Sequence, residues 1–223
     1  MNTLRGINFQ GNWAMADNFI TIVSGLPRSG TSLMMQMLQA GGLELLTDGV
    51  RGPDESNPRG YLEHEAVKHG RNDLSWLEPA GGKAVKVIHL LLLQLPTDRN
   101  YRVIFMMRNL AEVIASQRAM LKQQGRPDAK LTDAKLAGIF EAQLNQVRQW
   151  LAERSSFQVL YVNHGSLVEN PLAEAGRINQ FLGGNLLTAQ MAGAVHPELY
   201  RQRKAVLSGS AAGDAVSRRE SGS

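Results

Sequence analysis

The stretch Phe19-Ile-Thr-Ile-Val-Ser-Gly-Leu-Pro-Arg-Ser-Gly-Thr-Ser32 decides the reading of this chain. Its first six residues, FITIVS, form a short apolar, β-branched run that stops at Gly25, the pattern of a buried parallel strand. Leu33 to Ala40 then carries Met34, Met37 and Leu38 at helical spacing and meets Gly41 and Gly42, a C-terminal stop. The segment Gly25 to Ser32 thus lies between a strand and a helix, the context in which a glycine turn predicts a phosphate site. Glycines permit the tight turn, successive backbone N–H groups point inward, and the helix dipole places partial positive charge where an anion would sit.

Ala84 to Ile88 and Tyr101 to Met107 (YRVIFMM) read as two further buried strands, and Phe157 to Val162 (FQVLYV) as a fourth. The helix Asn109 to Gln124 opens on Asn109 followed by Glu112, which resembles a capping box, and Leu110, Val113, Ile114 and Leu121 give it an apolar stripe. Thr132 to Arg154 reads as a long amphipathic helix with Leu136, Ile139, Phe140, Leu144, Val147, Trp150 and Leu151 on one face at spacings of three and four. Leu172 to Leu182 is a helix ending at Gly183 and Gly184. Strands alternating with helices predict an α/β fold of three layers: a mostly parallel sheet, helices on both faces, and ligands at the carboxyl ends of the strands. Asp48 to Gly60 (DGVRGPDESNPRG) is a long turn-rich segment that reads either as a binding loop or as a solvated connection.

With 223 residues the chain fits one domain of ordinary size. Residues 1–18 read as an N-terminal extension, 19–207 as the domain, and 208–223, rich in Ser, Gly and Ala, as a disordered tail. The absence of cysteine excludes disulfides, thiol nucleophiles and zinc–thiolate sites and suits a reducing compartment. The first residues lack the apolar core of a signal peptide, and no run approaches the roughly 20 apolar residues a membrane span needs, so a cytoplasmic location is expected. A net charge of +4, from 24 basic and 20 acidic residues, forms no basic stripe of the kind that binds nucleic acid and suits a small anionic ligand.

Gly25 to Ser32 follows the P-loop skeleton G-x-x-x-x-G-K-[ST], except that Thr31 stands where the lysine belongs and the basic residue has moved to Arg28. No predicted strand ends in an Asp able to hold Mg²⁺: the strands run instead into Arg108, into Asn163 and His164, and into His89. An ATP-dependent kinase reading loses both supports. Pro27-Arg28-Ser29-Gly30-Thr31-Ser32 resembles the 5′-phosphosulfate loop P-[KR]-S-G-T-[ST] of the sulfotransferase family. The family's second motif, an Arg ending a later strand and a Ser eight residues on, is similar to Arg108 and Ser116 in RNLAEVIAS. Val159 to Val162, Leu167, Pro171 and Phe181-Leu182-Gly183 resemble a third segment, and Asn57 to Tyr61 resembles the Asn-Pro-x-Gly-Tyr loop of small bacterial members.

This resemblance, which covers roughly residues 19 to 184, implies a P-loop-like sulfotransferase fold. It also implies 3′-phosphoadenosine 5′-phosphosulfate as the donor of a sulfuryl group to a hydroxyl or amine. Pro27 to Ser32 would hold the 5′ end, with Arg28 stabilising the leaving oxygen, and Arg108 and Ser116 the 3′-phosphate. Arg201 and Arg203, which follow His196-Pro-Glu-Leu-Tyr, would close over that phosphate, or form a solvated basic stretch; the relatives' G-x-x-G-x-W-K pattern is absent. For a general base, Glu63 in Y-L-E-H-E is the first candidate and His89 the second. The segment Lys86-Val-Ile-His89-Leu departs from the family's K-x-H-L-P by one inserted residue and the missing Pro. Two rival readings are a sulfonucleotide-binding module without turnover and an atypical P-loop nucleotide kinase.

No metal is expected. His64 and His69 in H-E-x-x-x-H lie five residues apart, which turns one away from the other on a helix. His164 and His196 belong to no pattern and read as capping or surface residues. The acceptor is a small molecule, carbohydrate, lipid or peptide that the sequence does not specify.

Overall fold

A computed structural model describes residues 19–54, 57–126 and 131–196. Four strands, β1 (Phe19–Gly25), β2 (Ala84–Lys86), β3 (Asn100–Met107) and β4 (Phe157–Asn163), form one sheet in the order β2-β1-β3-β4. Every pairing is parallel; Val23 faces Lys86 on one side and Ile104 on the other, and Ile104 faces Leu160. The α/β architecture expected from the alternating pattern is therefore present.

Helices cover both faces, which explains why β1 and β3 are near-continuous apolar runs. On one face Ile22, Val103 and Phe105 pack against Val113 and Ile114 of α4 (Leu110–Gln123), and Phe140, Leu144 and Val147 of α5 (Asp133–Ala152) complete the same cluster. On the other, Val23, Ile104 and Met106 cluster with Met34 and Leu38 of α1 (Thr31–Ala40), Leu167 of α6 (His164–Glu169), Ile178 of α7 (Pro171–Phe181) and Met191 of α8 (Thr188–Gly193). Ile22, Val23, Val103, Ile104 and Phe105 are wholly inaccessible, each side chain contributing about 1.5–3 kcal/mol by burial. No described helix is long and apolar enough to cross a membrane.

Two expectations need adjustment. The strand expected over Ala84 to Ile88 stops at Lys86: Val87 N still donates to Val23 O at 3.0 Å, but Ile88 then opens a short helix, α3 (His89–Leu92). The capping box at α4 is half formed. Asn109 accepts from the N–H groups of Ala111 and Glu112, whereas the Glu112 carboxylate turns to the Arg108 guanidinium instead of returning to the cap. Thr132 caps α5 through its hydroxyl, which accepts from Lys135 N. A further short helix, α2 (Glu65–Lys68), lies ahead of β2. The extension at 1–18 and the tail at 208–223 lie outside the described residues.

Candidate functional site

The carboxyl ends of β1, β2, β3 and β4 bring Gly25, Lys86, Arg108 and His164 to one end of the sheet. The turn from β1 into α1 is built around two glycines with positive φ, Gly25 at 147° and Gly30 at 103°. A Cβ on Gly25 would lie 2.5 Å from Ser29 Oγ and 2.7 Å from Met106 O, and one on Gly30 would lie 2.6 Å from His164 Cδ2, so neither position admits a side chain. Ser29 N closes the turn on Leu26 O at 3.1 Å. Gly30 caps α1 without a side-chain acceptor, and the first turn contains no acid. The leading amides of this ten-residue helix and its positive dipole end are thereby left to a ligand.

Arg28 adopts φ 69°, a left-handed conformation that swings its side chain off the turn. Its Nε donates to Ser116 Oγ at 3.0 Å. Arg108 donates from Nη1 to the backbone carbonyl of Arg28 at 3.0 Å, and its Nε pairs with Glu112 at 3.0 Å. Arg28 is thus brought together with Arg108 and Ser116, 80 and 88 residues later in the chain, around the uncapped helix. Burial lowers the affinity of the Arg28 guanidinium for its proton, and the nearby Tyr61 opposes this.

The opposite wall comes from the segment after α1. Asn57 Nδ2 donates to Ser32 Oγ at 3.0 Å, and Tyr61 donates from its hydroxyl to Asp54 Oδ2 at 2.8 Å. The segment Asp48 to Gly60 is therefore part of the site's wall where it is described. Leu62, at φ 52°, turns the chain so that the Tyr61 carbonyl and the Glu63 side chain both meet Lys86.

Lys86 is the residue that sequence reasoning underrated. It is 7% exposed, donates to Ser32 Oγ at 2.9 Å and to the Tyr61 carbonyl, and stands 3.5 Å from Glu63 Oε1. Burial pulls its ammonium down to about 8, partly offset by Glu63. Its spacing to His89 was visible in the sequence, but only the fold shows that the lysine and not the histidine enters the cavity. Glu63 lines that cavity, its Oε2 3.4 Å from Arg51 and 3.5 Å from Lys68.

His89 is not among the lining residues: its Nε2 meets Gln143 Oε1 at 2.9 Å, on the α5 side of the sheet. Burial holds its imidazole below the usual histidine range. His164 and His196 line the cavity, contrary to the surface reading. His164 is buried against Gly30, and His196 Nε2 lies 2.7 Å from Arg59 Nη2. A single histidine at a strand end has no pattern that announces burial. Arg201 and Arg203 lie outside the described residues.

The cavity enclosed by these elements has a volume of about 490 Å³. Among the described residues, Arg28, Arg51, Arg59, Lys68, Lys86 and Arg108 line it with a single carboxylate, Glu63. No group of three or more metal-ligating side chains occurs among the described residues.

The model of the sulfotransferase domain matches residues 20–204. Sulfotransferase 1A1 of Rattus norvegicus is 27% identical over 199 residues, covering 82% of this chain, and the mouse protein of the same name is 27% identical over 198. The chain spans 66% of the length of the rat relative. A sulfotransferase domain from the curacin biosynthetic pathway superposes with a TM-score of 0.47 at 16% identity over 75% of each chain. With most of its length matched by the family model, the chain belongs to the sulfotransferase domain family.

Proposed function

We propose that this protein, through a domain spanning residues 19–207, transfers a sulfuryl group from 3′-phosphoadenosine 5′-phosphosulfate to a hydroxyl or amine. The observation that carries this reading is the meeting of Arg28, Arg108 and Ser116 at the uncapped N-terminus of α1. Backbone amides of Ser29 to Ser32 and the helix dipole suit the donor's 5′-phosphosulfate, and Arg108 and Ser116 suit a second phosphate about one side chain away. Arg201 and Arg203 are proposed to add to that second site. The cysteine-free chain accords with work in the cytoplasm.

In this mechanism the acceptor oxygen or nitrogen attacks sulfur in line, the bond from sulfur to the 5′-phosphate oxygen breaks, and the acceptor's proton passes to the Glu63 carboxylate. Arg28 and Lys86 neutralise the charge that gathers on the departing phosphate oxygen, a preorganised stabilisation inside a partly closed cavity. Lys86 bonds Ser32 Oγ at 2.9 Å, which holds its ammonium at the loop. Glu63 serves as base because it lines the cavity beside that lysine, whereas His89 faces Gln143.

Incubation with the donor and a panel of alcohols, phenols and amines, read by mass spectrometry for a product that gains SO₃, tests the assignment. Turnover that falls by about 10²–10³ in Arg28→Ala supports it. Donor binding with no product from any acceptor class supports instead a binding module without turnover.

A further inference from the structure

The cavity carries more positive charge than the proposed donor uses. The donor reading, on which this inference rests, engages Arg28, Arg108 and Lys86. Of the remaining cations, Arg59 is anchored across the cavity, donating to Ala194 O at 3.1 Å and meeting His196. Arg51 and Lys68 are left on the side of Glu63.

Both have accessible heads, their side chains being 39% and 40% exposed. The Arg51 guanidinium lies on the Tyr61 ring, its Cζ 3.3 Å from the centroid, which fixes its plane without consuming its N–H groups. A guanidinium offers five donors in a rigid fork suited to a carboxylate, phosphate or sulfate, and Arg51 is hydrogen-bonded to Glu63 through Nη1. Lys68 reaches the same Glu63 oxygen at 3.5 Å and pairs with Glu65 at 2.7 Å. Val67, Ile88 and Leu91 line the same cavity and give it an apolar surface, with Ile88 itself 42% exposed.

We infer that the acceptor is an organic anion. Its carboxylate, phosphate or sulfate is held by Arg51 and Lys68, its hydrocarbon part rests on Val67, Ile88 and Leu91, and its hydroxyl reaches Glu63.

The test uses the full chain saturated with 3′,5′-adenosine bisphosphate and matched phenols that differ only in charge: 4-hydroxybenzoate, 4-hydroxyphenylacetate and 3-(4-hydroxyphenyl)propionate, each beside its amide. Calorimetric titration is expected to show the carboxylate of at least one pair binding about tenfold more tightly than its amide, with the difference shrinking in salt. Arg51→Gln and Lys68→Gln should each reduce that difference while leaving bisphosphate affinity within about threefold of wild type.

The inference is overturned if no carboxylate outbinds its amide, or if the preference survives in both variants. It is also overturned if Arg51→Gln weakens bisphosphate binding as much as Arg28→Ala does, which would make Arg51 a donor ligand. Wild-type protein that fails to bind the bisphosphate at all defeats the donor-site reading itself, and that failure is visible before any phenol is added.

Discussion

Arg28 Nε donates to Ser116 Oγ at 3.0 Å, linking the turn after β1 to the first half of α4 across 88 residues of sequence. The contact joins the two motifs proposed to hold the two ends of the donor. Replacing Arg28 by alanine is expected to lower kcat by about 10²–10³, the usual cost of losing one preorganised charge-stabilising donor. The core does not depend on this half-buried side chain, so thermal unfolding should shift by no more than a few degrees. Near-normal turnover in Arg28→Ala would remove it from the mechanism.

Arg108 bonds the Arg28 carbonyl and Glu112, and its guanidinium stands at the end of β3 where the 3′-phosphate is proposed. Arg108→Ala should therefore weaken binding of 3′,5′-adenosine bisphosphate much more than binding of 5′-AMP. The ratio of the two affinities should narrow by about tenfold, as expected for one charge-assisted contact. Equal weakening of both ligands would assign Arg108 to loop support alone.

The two carboxylate and imidazole candidates are separable by pH–rate profiles. Glu63→Gln is expected to lower kcat by about 10²–10⁴ and to remove the limb of the profile that reports the base. His89→Asn should leave the shape of the profile intact, since the ring faces Gln143 and not the cavity. The opposite pattern would reassign the base to His89.

Lys86 makes a prediction about protons. Burial holds its ammonium at about 8, against an ordinary value of 10.5. An anion placed beside Nζ favours the charged form, so the bisphosphate should bind with proton uptake at and above about pH 8, and its affinity should fall as pH rises further. Calorimetry in two buffers of different ionisation enthalpy measures the uptake; Lys86→Met should abolish it. For folding the sign is reversed. Between about 8 and 10.5 the unfolded chain binds more protons at this residue than the folded one, so the Lys86 contribution to stability increases with pH across that window.

The sheet was readable because FITIVS and YRVIFMM are buried on both faces and so announce themselves as continuous apolar runs. The glycine turn between β1 and α1 was readable because Gly25 and Gly30 occupy backbone conformations and close contacts that other residues cannot tolerate. Arg108 and Ser116 were readable as a spaced pair; their meeting with Arg28 depends on β3 lying beside β1. Lys86 was not readable in its role, since a lysine inside an apolar run looks like an interruption. Its burial is decided by Ser32, Tyr61 and Glu63, which approach it from other segments. His164 was misread for a similar reason: its environment is Gly30, 134 residues earlier in the chain. The helices α2 and α3, four residues each, are too short to show a periodicity.

The most direct test of the donor site needs no knowledge of the acceptor. It is a calorimetric titration of the full chain with 3′,5′-adenosine bisphosphate, set beside ATP with and without Mg²⁺. The account predicts metal-independent binding of the bisphosphate at micromolar affinity, much tighter than ATP and sharply weakened in Arg108→Ala. Absence of bisphosphate binding, or a preference for ATP that requires Mg²⁺, would contradict it.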